Sequence, residues 1–178
     1  PITETPLLTI AAAVAVCGAL EEACGLDASV KWVNDVYHKG KKLCGILTEA
    51  FISAEMQTVD YAVLGIGINT GTVPPEVADI ATSVRAATGR PALRAPLAAA
   101  VLQQLENACL ALFAGRKGEI LAAYRARLFI VGHTVQVSQP DEGYSAVVEG
   151  IDDTGALLVR RENGTPERLF GGEVHLTL

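Results

Sequence analysis

The sequence has no run of lysine or arginine longer than two, and its 20 acidic residues outnumber its 14 basic ones for a formal net charge of −6. Tracking a phosphate backbone takes clustered cations, so nucleic acid is not the expected partner. It also has no CxxC pair and no Cys/His cluster, because Cys17, Cys24, Cys44 and Cys109 stand apart. That spacing disfavours a zinc site, gives no clear disulfide framework, and leads to an expectation of reduced thiols in a cytoplasmic protein. The run 7–20 is apolar except for Thr9 and Gly18 and has no basic segment before it. It is shorter than the roughly 20 residues that cross a bilayer, so it reads as a buried helix rather than a signal or an anchor. No membrane partner is expected.

What is present is a chain of 178 residues, half of them apolar, enough for one full core and a small second one. Thr5 and Pro6 make a helix start and Gly25 a stop, which predicts a helix over about 6–24. Its nearly all-round apolar surface predicts burial against a sheet. Short apolar runs then predict a strand at 30–33, a hairpin of 36–38 with 43–48 across Lys39-Gly40-Lys41, and a strand at 61–68. Helices are expected at about 76–87, 95–114 and 117–127. Beyond Arg127 the texture changes to short β-type runs at 134–138, 145–151, 156–161 and 167–170, separated by 140–143, 152–155 and Asn163-Gly164. The expected organisation is therefore a main domain over 1–127 and a small antiparallel β-domain over 128–178.

Three segments carry the chemistry: Lys31-Trp32-Val33-Asn34-Asp35, then Lys41 to Glu49 (Lys-Lys-Leu-Cys-Gly-Ile-Leu-Thr-Glu), then Gly65-Ile66-Gly67-Ile68-Asn69. Each alone has a plain structural reading: a solvated edge lysine, a turn, a hairpin tip. A dinucleotide-binding reading of Gly65 and Gly67 fails on spacing, since Thr70 stands where the third glycine belongs. In order and spacing together, the three segments resemble those of the biotin protein ligase family: Lys-Trp-Pro-Asn-Asp, Lys-Leu-x-Gly-Ile-Leu-x-Glu and Gly-x-Gly-x-Asn. The resemblance runs from the first helix through Ala81-Thr82-Ser83 to Gly171-Gly172-Glu173.

The resemblance implies an α+β fold: part of a catalytic domain like that of class II aminoacyl-tRNA synthetases, its mixed or antiparallel sheet packed with helices, followed by an SH3-like small β-barrel. It implies biotinylation of a carrier-protein lysine through biotinyl-5'-AMP, with biotin and ATP as substrates, Mg2+ carried by the nucleotide rather than by a protein metal site, and biotin carboxyl carrier protein as partner. By similarity Lys31, Asp35 and Lys42 are the catalytic candidates. Lys42, Gly45, Ile46, Leu47, Gly65 and Gly67 would hold biotin, and Lys31, Asn34 and Asn69 the nucleotide. Trp32, Gly172 and Glu173 would support them. A biotin carboxylate brought against an anionic α-phosphate calls for fixed cations, and an apolar bicycle calls for close backbone walls. Asp35 remains readable as a turn acceptor and Asn69 as a strand-end turn residue.

Val33 stands where the family usually has proline, which predicts a less rigid strand exit. The family's upstream loop of the Gly-Arg-Gly-Arg type has no counterpart here, and neither Gly89-Arg90 nor Gly115-Arg116 replaces it. The expectation is a truncated or split enzyme that ligates poorly alone, an uncovered adenylate being open to water. Its incomplete sheet would pair with a second copy or with a missing N-terminal segment. Competing readings are a lipoate or octanoyl transferase, and a non-catalytic module that senses biotin or adenylate or docks a partner.

Overall fold

The computed structural model describes residues 5–53, 58–139 and 142–176. Helix α1 (Pro6–Cys24) starts on Pro6 and ends on Gly25 in the left-handed conformation, as Thr5-Pro6 and Gly25 predict. Nothing on α1 is amphipathic because it is enclosed. One side lies on a four-stranded antiparallel sheet, where the hydroxyls of Thr9 and Thr48 bond at 2.7 Å, and the other lies on the following helices. By length and composition α1 and α3 (Arg94–Phe113) are each apolar enough to cross a membrane. For α1 the explanation is core burial: Ile10, Ala11, Ala12, Ala13, Val16 and Leu20 are completely covered.

The sheet runs β1 (Ser29–Lys31), β2 (Asp35–His38), β3 (Lys41–Ser53) and β4 (Thr58–Ile68), in that order. The expected hairpin across Lys39-Gly40 is β2–β3. The helix expected over 76–87 is not there. A 3-10 turn at Pro75–Val77 is followed by extended chain and a short helix α2 (Val84–Thr88) capped by the Ser83 hydroxyl. Long-range pairing overrides the local pattern: Lys42 N donates to Ile80 O and Thr82 N to Lys42 O, both at 2.9 Å, so residues 80–82 are held extended against β3. Helix α4 (Lys117–Arg125) follows α3.

The C-terminal β-runs form β5 (Thr134–Ser138), β6 (Gly143–Ile151), β7 (Leu157–Arg161), β8 (Pro166–Leu169) and β9 (Glu173–Leu176), in an antiparallel sheet of order β8-β7-β6-β5-β9. Strand β9 is absent from the expected set, because four residues starting with an acid carry no β signal of their own. It exists through its pairing with β5. Residues 140 and 141 of the expected 140–143 turn lie outside the described residues. The fold is thus α+β, with two antiparallel sheets and packed helices. All four cysteines are free thiols.

The turn between β6 and β7 brings the second sheet against α1 and the end of β1. Asp152 Oδ1 accepts from Thr154 N, Thr154 Oγ1 and Ala156 N, which rounds the chain tightly enough to bring Gly155 against α1. Gly155 has φ +85°, and a Cβ there would stand 2.4 Å from Ile10 Cδ1, so only glycine fits. Its carbonyl accepts the Trp32 indole N–H at 3.0 Å. Trp32 is 5% exposed, and a buried carbonyl stripped of this donor would cost about 1–3 kcal/mol.

Candidate active site

Cross-strand partners in an antiparallel sheet point to the same face. The register pairs Lys31 with Asp35, Asp35 with Gly45, and Gly45 with Gly67, so these four residues form a single row across all four strands. Leu47 and Gly65 are the next pair on that face. The opposite face, carrying Val30, Val36, Cys44 and Ile46, is buried under α1. The row therefore looks outward from the only packed side of this sheet among the described residues.

Strict alternation would bury Lys42, three residues before Gly45. A β-bulge prevents it: β2–β3 pairing slips between Val36 and Tyr37, so Val36 meets Cys44 while Tyr37 meets Lys42. The extra residue is Leu43, which joins Cys44 in the core. The slip returns Lys42 to the outward face, re-aiming a side chain as bulges next to active sites do. Its Nζ lies 2.7 Å from Asp35 Oδ1. The backbone of Lys42 is gripped on both sides by residues 80–82.

Lys31 belongs to the same electrostatic neighbourhood. Partial burial holds its amine below the ordinary lysine pKa; attraction to Asp35 opposes that shift, repulsion from Lys42 adds to it, and attraction to Glu173 opposes it again. Both lysines and the Glu173 carboxylate thus act on one site, and Glu173 arrives there from the start of β9. Gly172, just before it, has φ +109°.

The glycines of the face carry the clearest information. Gly45, Gly65 and Gly67 all lie outside the left-handed region, and a Cβ on each would meet nothing nearer than 3.5 Å, 3.8 Å and 3.7 Å respectively. Neither backbone conformation nor internal packing requires glycine at any of them. What their lack of side chains leaves is a strip of bare backbone beside two lysines and an aspartate, floored by Leu47, which is 61% exposed.

Other expected site residues hold this arrangement together. Asn34 Nδ2 donates to Ile46 O at 2.8 Å and Ile46 N donates to Asn34 O at 2.9 Å, which staples the turn after β1 onto β3. Asn69 Nδ2 donates to Thr82 O at 3.1 Å, and Val84 N to Asn69 O at 2.8 Å, so Asn69 organises the strand exit. Ile46 is not brought to the face: its side chain is 2% exposed and points to α1. At Val33, where the family's proline is missing, the Trp32-Val33 peptide is cis and the Val33 carbonyl accepts the Tyr124 hydroxyl at 3.1 Å. Tyr124 and Gly155 are positioning residues that sequence reasoning passed over, and Ser83 entered it only within the Ala81-Thr82-Ser83 segment. Ser83, fully buried and capping α2 while bonded to Gly71 O, had a legible signal as the Ser before a short helical run. A cavity of about 770 Å3 lies elsewhere, between α1, the far end of β4 and the end of α3, and includes none of the expected site residues. The row lies on the other face of the sheet from that cavity.

Comparison with known proteins bears on this face. The Biotin/lipoate A/B protein ligase family model matches residues 1–69 and the Biotin protein ligase C terminal domain model matches 130–176. The Bifunctional ligase/repressor BirA of Bacillus subtilis is 32% identical over 99% of the chain, which spans 54% of that relative, about half its length. The Biotin--[acetyl-CoA-carboxylase] ligase of Paracoccus denitrificans is 33% identical over 93% of the chain and 73% of the relative. Biotin protein ligase from Aquifex aeolicus superposes with a TM-score of 0.84 at 26% identity, covering 98% of this chain and 75% of that one. Its structure in complex with biotin and ATP gives 0.81 at 25% identity, over 96% and 71%. With both ends of the chain matched by the corresponding family models and a relative covered over most of its length, the chain belongs to the biotin protein ligase family.

Proposed function

We propose that this chain carries the ligand-gripping part of an ATP-dependent biotin protein ligase, and that the outward row is where biotin and the adenylate lie. The observation that carries the reading is the set of three strand glycines that the fold itself does not need. Biotin is an apolar bicycle with a polar ureido edge, and it packs best on bare backbone. Gly45, Gly65 and Gly67 supply that wall, with Leu47 as apolar floor. Ile46 contributes through its backbone only, by anchoring Asn34.

Lys42 offers its ammonium to the biotin carboxylate, then to the adenylate phosphate, and Lys31 faces the triphosphate. Their charge offsets the repulsion between two anions that must approach for the acyl phosphate to form. The lowered pKa of Lys31 fits a group held partly out of water for a polyanion. Among the described residues no cluster of three or more His, Cys, Asp or Glu side chains could hold a metal. Mg2+ is assigned to the nucleotide, where it neutralises phosphate charge. Asn34 and Asn69 shape the nucleotide side mainly by fixing backbone, and Trp32, Gly172 and Glu173 bring the second sheet to Lys31. In the second step the carrier lysine's nitrogen attacks the acyl carbon. The C–N bond forms as the C–O bond to phosphate breaks, AMP leaves with the electron pair, and the amine proton passes to Asp35.

On this reading residues 1–127 are the catalytic portion and 128–178 the small β-domain. The protein partner is a biotin carboxyl carrier domain and the compartment is the cytoplasm. The test is a calorimetric titration of the chain with biotin and with lipoate, followed by pyrophosphate release with ATP. Preferential heat with biotin and biotin-dependent pyrophosphate release are expected. Preference for lipoate would assign the chain to the transferase side of the fold, and biotin heat without pyrophosphate would make it a sensor.

A further inference from the structure

The ion pair of the outward row lies across the slot rather than beside it. A Cβ at position 45 would stand 3.5 Å from Lys42 Cε, 3.7 Å from Lys42 Nζ and 3.8 Å from Asp35 Oδ1. Lys42 therefore reaches back over Gly45 to meet the carboxylate of its cross-strand neighbour, and the two close at 2.7 Å over the glycine the ligand would use. Asp35 is the more enclosed partner, its side chain 18% exposed against 44% for Lys42. Lys31 sits on the other side of Asp35 in the same row. One carboxylate thus faces two ammonium groups, and that of Lys42 covers the slot.

We propose that Asp35 is a resident substitute for the ligand carboxylate: it holds Lys42 across Gly45 in the unliganded protein, is displaced when the biotin carboxylate takes Lys42, and only then is free to receive the carrier amine. The inference rests on the reading of Lys42 as the carboxylate-binding residue. Its physical content is an exchange of ion pairs. Two carboxylates crowded on one ammonium repel each other, so the ligand's arrival releases Asp35. The exchange also sets an order, since a carboxylate that already faces Lys31 and is held by Lys42 is a poor acceptor for a third cation. An amine arriving before biotin finds Asp35 occupied.

A part-exposed pair is worth little, so the competition should cost biotin about 2- to 5-fold in affinity. The experiment is calorimetric titration of the unsubstituted chain, Asp35→Asn and Asp35→Ala with two probes: biotin, and biotinol, in which an alcohol replaces the carboxylate. Both variants should bind biotin about 2- to 5-fold more tightly than the parent and biotinol with unchanged affinity. Unchanged or weaker biotin binding overturns the inference, and so does an equal gain for biotinol, which would mean that the substitution merely opened the slot. If the parent binds neither probe, the reading of the face as a biotin site fails and the exchange fails with it. A second measurement needs no variant. With 13C-labelled aspartate in the parent, the Asp35 carboxyl signal should move on addition of biotin and stay in place with biotinol, and an Asp35 signal indifferent to both contradicts the exchange.

Discussion

Gly45→Val is expected to fold as the parent does and to lose biotin binding by about 100-fold. The two halves of this expectation have separate causes. Position 45 has ordinary strand geometry, and its Cβ would meet only van der Waals contacts at 3.5–3.8 Å. Valine is at home on a pleated strand, whereas glycine there costs about 0.5–1 kcal/mol. Stability should therefore hold or rise in a denaturant titration. The added carbons project onto the outward face, into the space the bicycle would occupy beside Gly67. Forcing extra methylenes into a packed space costs about 1–3 kcal/mol, and three carbons in a close-fitting slot fall at the upper end, about 100-fold. Gly25 makes the control: its φ of +65° closes α1 with nothing within 4 Å of a Cβ, so valine there should lower stability and leave biotin affinity alone.

Lys42→Met should reduce adenylate formation, measured as pyrophosphate release relative to the parent, by about 100- to 1000-fold, the usual loss when one pre-aimed charge-stabilising group is removed. Methionine keeps the stem that lies along Gly45 and deletes the ammonium. The thermal midpoint should barely move, because an ion pair whose lysine is 44% exposed contributes about 0–1 kcal/mol. A large drop in stability with little loss of rate would make the lysine a structural member of the hairpin. Retained rate with retained stability would remove Lys42 from the chemistry.

The sequence spoke plainly about some features and was silent about others, and the division has physical causes. Helix α1 is legible because its ends are local: a proline opens it and a left-handed glycine closes it. The β2–β3 hairpin is legible from its Lys39-Gly40 turn, where both residues have positive φ. Residues 76–87 misled because Ala-rich composition speaks for helix, whereas Lys42 and Asn69, distant in sequence, take up the backbone of 80–84 instead. At the site, the three segments announced themselves, but not how they share a face. Alternation alone would have removed Ile46 from the expected biotin-facing residues, since it lies between Gly45 and Leu47. The same alternation would have wrongly buried Lys42, because nothing in Lys-Leu-Cys-Gly declares that Leu43 is the extra residue of a bulge. That slip, visible only in the register of β2 against β3, makes the two lysines neighbours.

The claim on which the rest depends is that ligand meets the row of Lys31, Asp35, Gly45 and Gly67 on the outward face of the first sheet. An NMR titration of the 15N-labelled chain with biotin tests it most directly. The amide signals of Gly45, Gly65 and Gly67 should shift together and saturate at one concentration, while those of Leu8, Leu112 and Phe113, around the 770 Å3 cavity on the helix side, stay still. Shifts confined to that cavity, with the three glycines unmoved, would contradict the account.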